Sequence, residues 1–424
     1  MARILVGSVP VVGHLNPLVP IVRALRARGH EVRWYTGGKY RAKVEATGAQ
    51  FVAMTHARDY DDAEVDREFP GRTHLRGIAK LKFDMKHVFI DNGGGQLRDL
   101  TDVARAFKPD VLLCEAGCFG MVFLSEQSGV PVALLGVIPL ARSSVDTAPF
   151  GLGLAPDRSR LGQLRNRALN VLVEQVLFRD VQAHWNETRK QAGLPPTGWW
   201  LNAGEKATVY MQPTIPSLEH FRSDLPANVR FIGMIPADAP RDWIAPSFWR
   251  ELDGPRRVVH VTQGTIANAK PELIAPALEG LADEDVLVVV ATGGRDPAAL
   301  GLSQVPVNAR VAGFISYAEL LPKTSVMLSN GGYGGVQMAL AEGVPVAVAG
   351  TTEDKPEVAM RVACSGAGLN LKTSTPSPAQ VRNAVRALLD EPRYRERATV
   401  LAAEYARYDA VKIAVETVEG LLRS

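Results

Sequence analysis

The chain has 424 residues, 46% of them hydrophobic and 22% charged, with 38 glycines. That makeup excludes a small disulfide scaffold, a disordered tail and a fibrous repeat, and fits two globular α/β domains. The 48 Lys and Arg stand against 45 Asp and Glu, a formal charge of +3 that is too balanced for a dedicated nucleic-acid binder; a pI near 8.7 favours anionic small ligands.

Arg3 to Gly7 is a strand-like apolar run, followed by a glycine-bearing loop and by Leu18 to Arg28 at helical spacing, ended by Gly29. Further strands are expected at Glu31–Thr36, Phe51–Met54, Asp110–Cys114 and Pro131–Leu135. Strands alternating with helices imply a doubly wound parallel sheet whose ligand sits beyond the carboxyl ends of the strands. Residues 161–193 read as one long helical stretch with a basic start at Arg158, Arg160, Arg165 and Arg167, most simply a solvated face. Prolines at 226, 236, 240, 246 and 255 make residues 226–255 the expected linker between a first domain (1–225) and a second (256–393). The second domain repeats the pattern at Arg257–Thr262, Val286–Val290, Arg310–Gly313, Ser325–Ser329 and Pro345–Ala349. The last stretch, 394–424, is helical from Tyr394 to Leu422 and is expected to return to the first domain. Two Rossmann-like domains facing one another across a cleft are the expected fold.

Cys114, Cys118 and Cys364 form neither a zinc site nor a disulfide framework, and no apolar run approaches the ~20 residues of a membrane span. With no secretory pattern at the N-terminus, a reduced cytosol is the simplest compartment, and the sequon Asn186-Glu187-Thr188 reads as ordinary helix surface.

The candidate chemistry lies in the loops after strands. Gly13-His14-Leu15-Asn16-Pro17 places an imidazole at the carboxyl edge of the first strand, where it suits a general base as well as a helix cap. Glu115 ends a neighbouring strand, where its carboxylate can orient that imidazole or serve as a helix cap. Ser329 to Gly335, between a strand and a helix, is an anion seat: glycines let backbone approach a ligand, and the helix N-terminus attracts phosphate. Gln263-Gly264-Thr265 follows another strand, and Thr265 is placed to donate to the same phosphate. Thr351 to Pro356 offers Asp354 and Lys355 where sugar hydroxyls need charged partners. Asp59-Tyr60-Asp61 and Asp283-Glu284-Asp285 have DxD spacing but read as surface turns, so no metal is expected.

Taken in order, Gly13–Pro17, Asn330–Gly335, Ala341-Glu342-Gly343-Val344-Pro345 and Asp354-Lys355 resemble the UDP-glycosyltransferase superfamily, most nearly its bacterial macrolide and natural-product glycosyltransferases of the GT-B fold. The resemblance runs almost end to end. It implies His14 as acceptor base with Glu115 in place of the usual Asp. The donor diphosphate would be held by Thr265, with Gln263, and by Asn330, Gly331, Gly332, Gly334 and Gly335, Gly13 facing it from the first domain. Phe314 and Ile315 would lie beside the nucleobase, and Asp354 with Lys355 at the sugar. Four residues depart from the family pattern: Asn330 stands for a His, Met338 for a ribose-binding Glu, Lys355 for a Gln, and Glu115 for an Asp. The expected substrates are a UDP- or dTDP-linked sugar and a hydrophobic acceptor bound near Pro10, Phe119 and Ile138, whose apolar character suits a polyketide, macrolide or aromatic aglycone. No cofactor and no nucleic-acid partner are expected, and the chain is expected to be a monomer or homodimer. A catalytically silent nucleotide-sugar binder and a nucleotide-sugar epimerase are the competing readings; a nicotinamide oxidoreductase is disfavoured, because Gly7 and Gly13 do not make a GxGxxG fingerprint.

Overall fold

The computed structural model describes residues 1–237, 243–264, 272–296 and 305–422. Within them the chain builds two all-parallel sheets. The first contains β1 (Arg3–Gly7), β2 (Glu31–Thr36), β3 (Gln50–Ala53), β4 (Val111–Glu115), β5 (Val132–Leu135), β6 (Val209–Gln212) and β7 (Val229–Phe231), in the spatial order β3-β2-β1-β4-β5-β6-β7. The second contains β8 (Arg257–Thr262), β9 (Val286–Ala291), β10 (Ala309–Ala312), β11 (Val326–Ser329), β12 (Val346–Val348) and β13 (Gly368–Asn370), ordered β10-β9-β8-β11-β12-β13.

The strand sequences explain the parallel pairing. Helices cover both faces of each sheet, so the central strands are continuous apolar runs such as Val-Leu-Leu-Cys-Glu in β4 and Val-Leu-Val-Val-Val-Ala in β9, buried throughout. The two faces of the first sheet carry separate cores, one around Leu112, Phe123 and Trp185 and one around Ile4, Leu25 and Trp34. In each sheet the order reverses beside one strand. Connections leave β1 and β4 in opposite directions in the first sheet, and β8 and β11 in the second, opening a crevice at the carboxyl edge of each.

Three expectations change in detail. The helical stretch over 161–193 is two helices, Arg160–Val171 and Arg179–Gln191, joined by the π-helical turn Leu172–Leu177 and broken at Phe178. Residues 226–255, expected as linker, begin with β7, a strand too short to show periodicity. The final stretch is also two helices: Pro392–Tyr405 packs Ala398, Leu401 and Tyr405 into the second sheet's core, whereas Ala410–Gly420 packs Ala414, Val415 and Val418 on the first. Between them the Asp409 side chain accepts from the Lys412 N–H and starts a fresh helix. Glu419 then bonds Arg28 at 2.7 Å and His30 at 3.0 Å, holding the last helix to the first lobe. No helix among the described residues is long and apolar enough to cross a membrane.

Candidate active site

The first half of the site is built at the β1/β4 crevice. After β1 the backbone turns through Val9 to Val11 and makes a single helical turn, Val12–Leu15, that presents His14. Glu115 is the last residue of β4, and its side chain is fully buried. Its Oε1 accepts from the Val9 N–H at 3.0 Å, while Oε2 accepts from the Gly117 N–H at 2.6 Å and lies 2.5 Å from His14 Nδ1. Three donors thus fix the carboxylate, and the carboxylate fixes the imidazole. Because Glu115 accepts at Nδ1, the neutral ring keeps its proton there and turns Nε2 outward as an acceptor. The Phe89 ring lies 5.8 Å from the His14 ring and limits its rotation. Gly117 packs closely on the pair: a Cβ there would come to 3.1 Å from Glu115 Oε2 and 3.2 Å from the imidazole.

The second half is the β8/β11 crevice. After β11, Asn330 donates through Nδ2 to the Gln263 carbonyl at 2.6 Å, tying together the two loops that follow the central strands. Gly331 adopts φ +94, and a Cβ would meet Val348 Cγ1 at 2.8 Å, so glycine is demanded by conformation and space together. The helix Tyr333–Ala341 opens at Gly332 with no side-chain cap, leaving its first N–H groups for a ligand. Gly332 and Gly334 are exposed on the open side of that turn, and no heavy atom lies within 4 Å of a Cβ built on either. Gly335 faces inward, against the Tyr317 ring.

Asp354 stands at the start of the helix Lys355–Ser365. Burial, with help from Glu353, pushes its carboxyl up to about 6 against the opposing pull of Lys355 and of His14. The buried Lys355 pairs with Glu353, a residue in the left-handed region at φ 57.

The lobes are joined behind the cleft by a buried charge network. Arg361 donates from Nε to Glu219 Oε1 at 2.9 Å and from a terminal nitrogen to Glu357 Oε2 at 2.9 Å. Glu357 Oε1 accepts from the N–H groups of Gly151 and Gly153 at 2.9 Å each, while Arg222 bonds both Glu219 and the Leu140 carbonyl. Burial would raise the Glu219 carboxyl, but Arg361 and Arg222 hold it down at about 2; burial and the same cations press His220 to about 3. Nearer the cleft, Gln212 Nε2 donates to the Ile138 carbonyl at 3.0 Å and to the Tyr333 hydroxyl at 3.1 Å. A loop of the first lobe is thereby fastened to the very helices of the second that carry the glycine turn and Asp354.

Not every sequence candidate reaches the cleft. Ile315 is a core residue of the second lobe, packed with Leu252, Val258 and Leu287, whereas the adjacent Phe314 ring is half exposed. Phe119 is buried against Trp185, with ring centroids 4.9 Å apart, and so serves the first core. Pro10 is buried close to Gly37; of the three acceptor candidates only Ile138 is part-exposed, while Gly13 is exposed beside His14. The Gln263 side chain turns back to accept from the Leu273 N–H at 3.0 Å. Thr265 lies outside the described residues. In the two DxD stretches, Asp59 accepts from the Gly38 N–H, Asp61 pairs with Lys39, and Asp283 and Asp285 precede β9, at the edge opposite the crevice. Sequence reasoning passed over Glu219, Arg361, Glu357, Gln212 and Phe89, which belong to no motif and meet only through packing.

Residues 275–419 match the family model described as erythromycin biosynthesis protein CIII-like, C-terminal domain. The chain is 46% identical over 423 residues to 4'-demethylrebeccamycin synthase from Lentzea aerocolonigenes, covering 99% of this chain and 100% of that one. It is 35% identical over 440 residues to UDP-glycosyltransferase 2 from Phaeomoniella chlamydospora, covering 99% and 95%. Among solved structures, CalG4, the calicheamicin glycosyltransferase, shares the fold with a TM-score of 0.75 at 20% identity, covering 100% of this chain and 98% of that one. The glycosyltransferase SsfS6 of Streptomyces sp. SF2575, complexed with thymidine diphosphate, aligns with a TM-score of 0.67 at 21% identity over 99% and 100%. A relative of such identity over essentially the whole chain, on a frame of two facing parallel sheets, places this protein among the natural-product glycosyltransferases of the GT-B fold.

Proposed function

We propose that the protein is an inverting glycosyltransferase that moves a sugar from a nucleoside diphosphate donor to a hydroxyl of a hydrophobic natural-product acceptor. The observation that carries the reading is the His14–Glu115 pair at 2.5 Å, built at the carboxyl edge of the first sheet where β1 and β4 diverge. In this reading the first lobe, through about residue 225, binds the acceptor and residues 256–393 bind the donor. The acceptor hydroxyl gives its proton to His14 Nε2 as its oxygen attacks the anomeric carbon, and Glu115 stabilises the imidazolium that forms. The bond to the diphosphate breaks on the opposite side, and the N–H groups of the helix beginning at Tyr333 receive the departing charge. Asp354 and Lys355 hold the sugar hydroxyls, and the exposed Phe314 ring lies beside the base.

A UDP-glycosyltransferase relative and a thymidine diphosphate complex of a structural neighbour support UDP- and dTDP-sugars as the donors to test. Asn330 bonds the Gln263 carbonyl where a histidine is usual, so it contributes by holding the two loops together. The purified chain is expected to convert donor and a phenolic or polycyclic acceptor into glycoside. His14→Ala should largely abolish turnover while calorimetric donor binding survives. Near-normal turnover in that variant rejects His14 as the base; conversion of donor without acceptor, or donor binding without any turnover across the panel, rejects the transferase assignment.

A further inference from the structure

Away from the cleft the first lobe assembles a donor set that the proposed transfer does not use. His87 lies on the π-helical turn Asp84–Ile90, Asp91 follows one turn later, and His184 comes from the helix Arg179–Gln191. His87 Nδ1 is 2.8 Å from Asp91 Oδ2, and His184 Nε2 is 2.5 Å from Asp91 Oδ1; the three ligand atoms lie within 4.8 Å of one another. The two imidazole rings meet edge to face at 5.8 Å, and Phe83 packs on His87 with centroids 4.6 Å apart. The nearby cations Lys82 and Lys86 are both paired with Asp180, at 2.9 and 2.5 Å, so the cluster keeps the negative charge of its own carboxylate.

Two imidazoles and one carboxylate converging from two helices match the ligand preference of a borderline divalent ion, and three protein ligands leave coordination positions for water. We propose that His87, Asp91 and His184 bind one divalent transition-metal ion of the zinc, cobalt or nickel type. The ion takes the place of the two ring hydrogen bonds to Asp91, each neutral imidazole then carrying its proton on its other nitrogen, and ties the 84–90 turn to the 179–191 helix. Phe89, on that same turn, rests against His14, so the site would set the position of one wall of the cleft. That last consequence rests on the function proposed above; metal binding itself does not.

The test uses the full chain without an affinity tag, stripped with a chelator that is then removed. Zinc chloride is titrated by calorimetry, and cobalt chloride is followed by its visible ligand-field absorption. One saturable equivalent is expected for the unmodified chain. His87→Ala, His184→Ala and Asp91→Asn should each weaken it at least about tenfold, the lower bound that loss of even an outer-shell partner produces. His56→Ala removes a histidine that also faces a carboxylate, at 2.7 Å from Asp99, but has no second imidazole, and it should leave binding unchanged. Zinc should raise the melting temperature of the unmodified chain and not of His87→Ala. Absence of saturable binding up to millimolar metal, or binding that persists undiminished in both His87→Ala and His184→Ala, overturns the proposal.

Discussion

Replacing Glu115 by Gln tests the proposed catalytic pair with the least change of shape. The carboxylate accepts from two backbone N–H groups and faces the imidazole. An amide cannot do the same, because whichever end carries the NH2 points a donor at a donor. If the nitrogen replaces Oε1, the Val9 N–H loses its acceptor; if it replaces Oε2, both Gly117 N–H and His14 Nδ1 face a donor, and the ring must put its proton on Nε2. The catalytic loss has two bounds. A charge-assisted hydrogen bond exceeds a neutral one by about 1.5 kcal/mol, and two unit charges roughly 4 Å apart at an effective dielectric near 20 attract by about 4 kcal/mol. At 1.36 kcal/mol per decade, kcat/KM should fall between about 10-fold and 1000-fold. One orphaned buried N–H costs a further ~1 to 3 kcal/mol of stability. The assay is initial-rate glycoside formation at fixed donor, with calorimetric donor affinity and a thermal melt on the same preparation. Glu115→Asp serves as a second variant that keeps the charge at shorter reach and should retain more activity than the Gln form. A folded Glu115→Gln enzyme within about threefold of the original kcat/KM would falsify the orienting role.

Three other outcomes are expected. Asp354 holds its proton up to about pH 6 in the folded chain but only to about 3.8 when unfolded, so between those values the folded state binds more protons and stability falls as pH rises. Asp354→Asn should remove that slope, together with any rise through pH 6 in affinity for the sugar nucleotide relative to the free nucleoside diphosphate; an Asn variant that keeps both trends sinks the assignment. Glu219→Gln strips the buried partner of Arg361 and Arg222 and should destabilise the chain by about 3 to 5 kcal/mol in chemical denaturation, with the contribution of Glu219 fully present above pH 4.5 and lost toward its folded value of about 2. A loss under about 1 kcal/mol would show that the network is not a latch. Asn330→Ala breaks the 2.6 Å bond to the Gln263 carbonyl and should weaken nucleoside diphosphate binding several-fold, by about 1 kcal/mol; unchanged binding heat refutes the coupling of the two loops.

Much of this was written along the chain. Continuous apolar runs such as β4 and β9 mark strands buried on both faces, and glycines after β11 mark a turn with positive φ, because backbone preference and side-chain period are properties of neighbouring residues. His14 and Glu115 could be placed at one sheet edge because each lies at or just beyond the end of a parallel strand. What packing alone decided is which way each side chain faces. Ile315 and Phe119 lie beside crevice loops in sequence yet fill cores, Gln263 folds back on its own loop, and Glu219 reaches Arg361 across 142 positions of chain. Such contacts depend on how two sheets and their helices dock, a sum over many distant neighbours that no short window of residues contains.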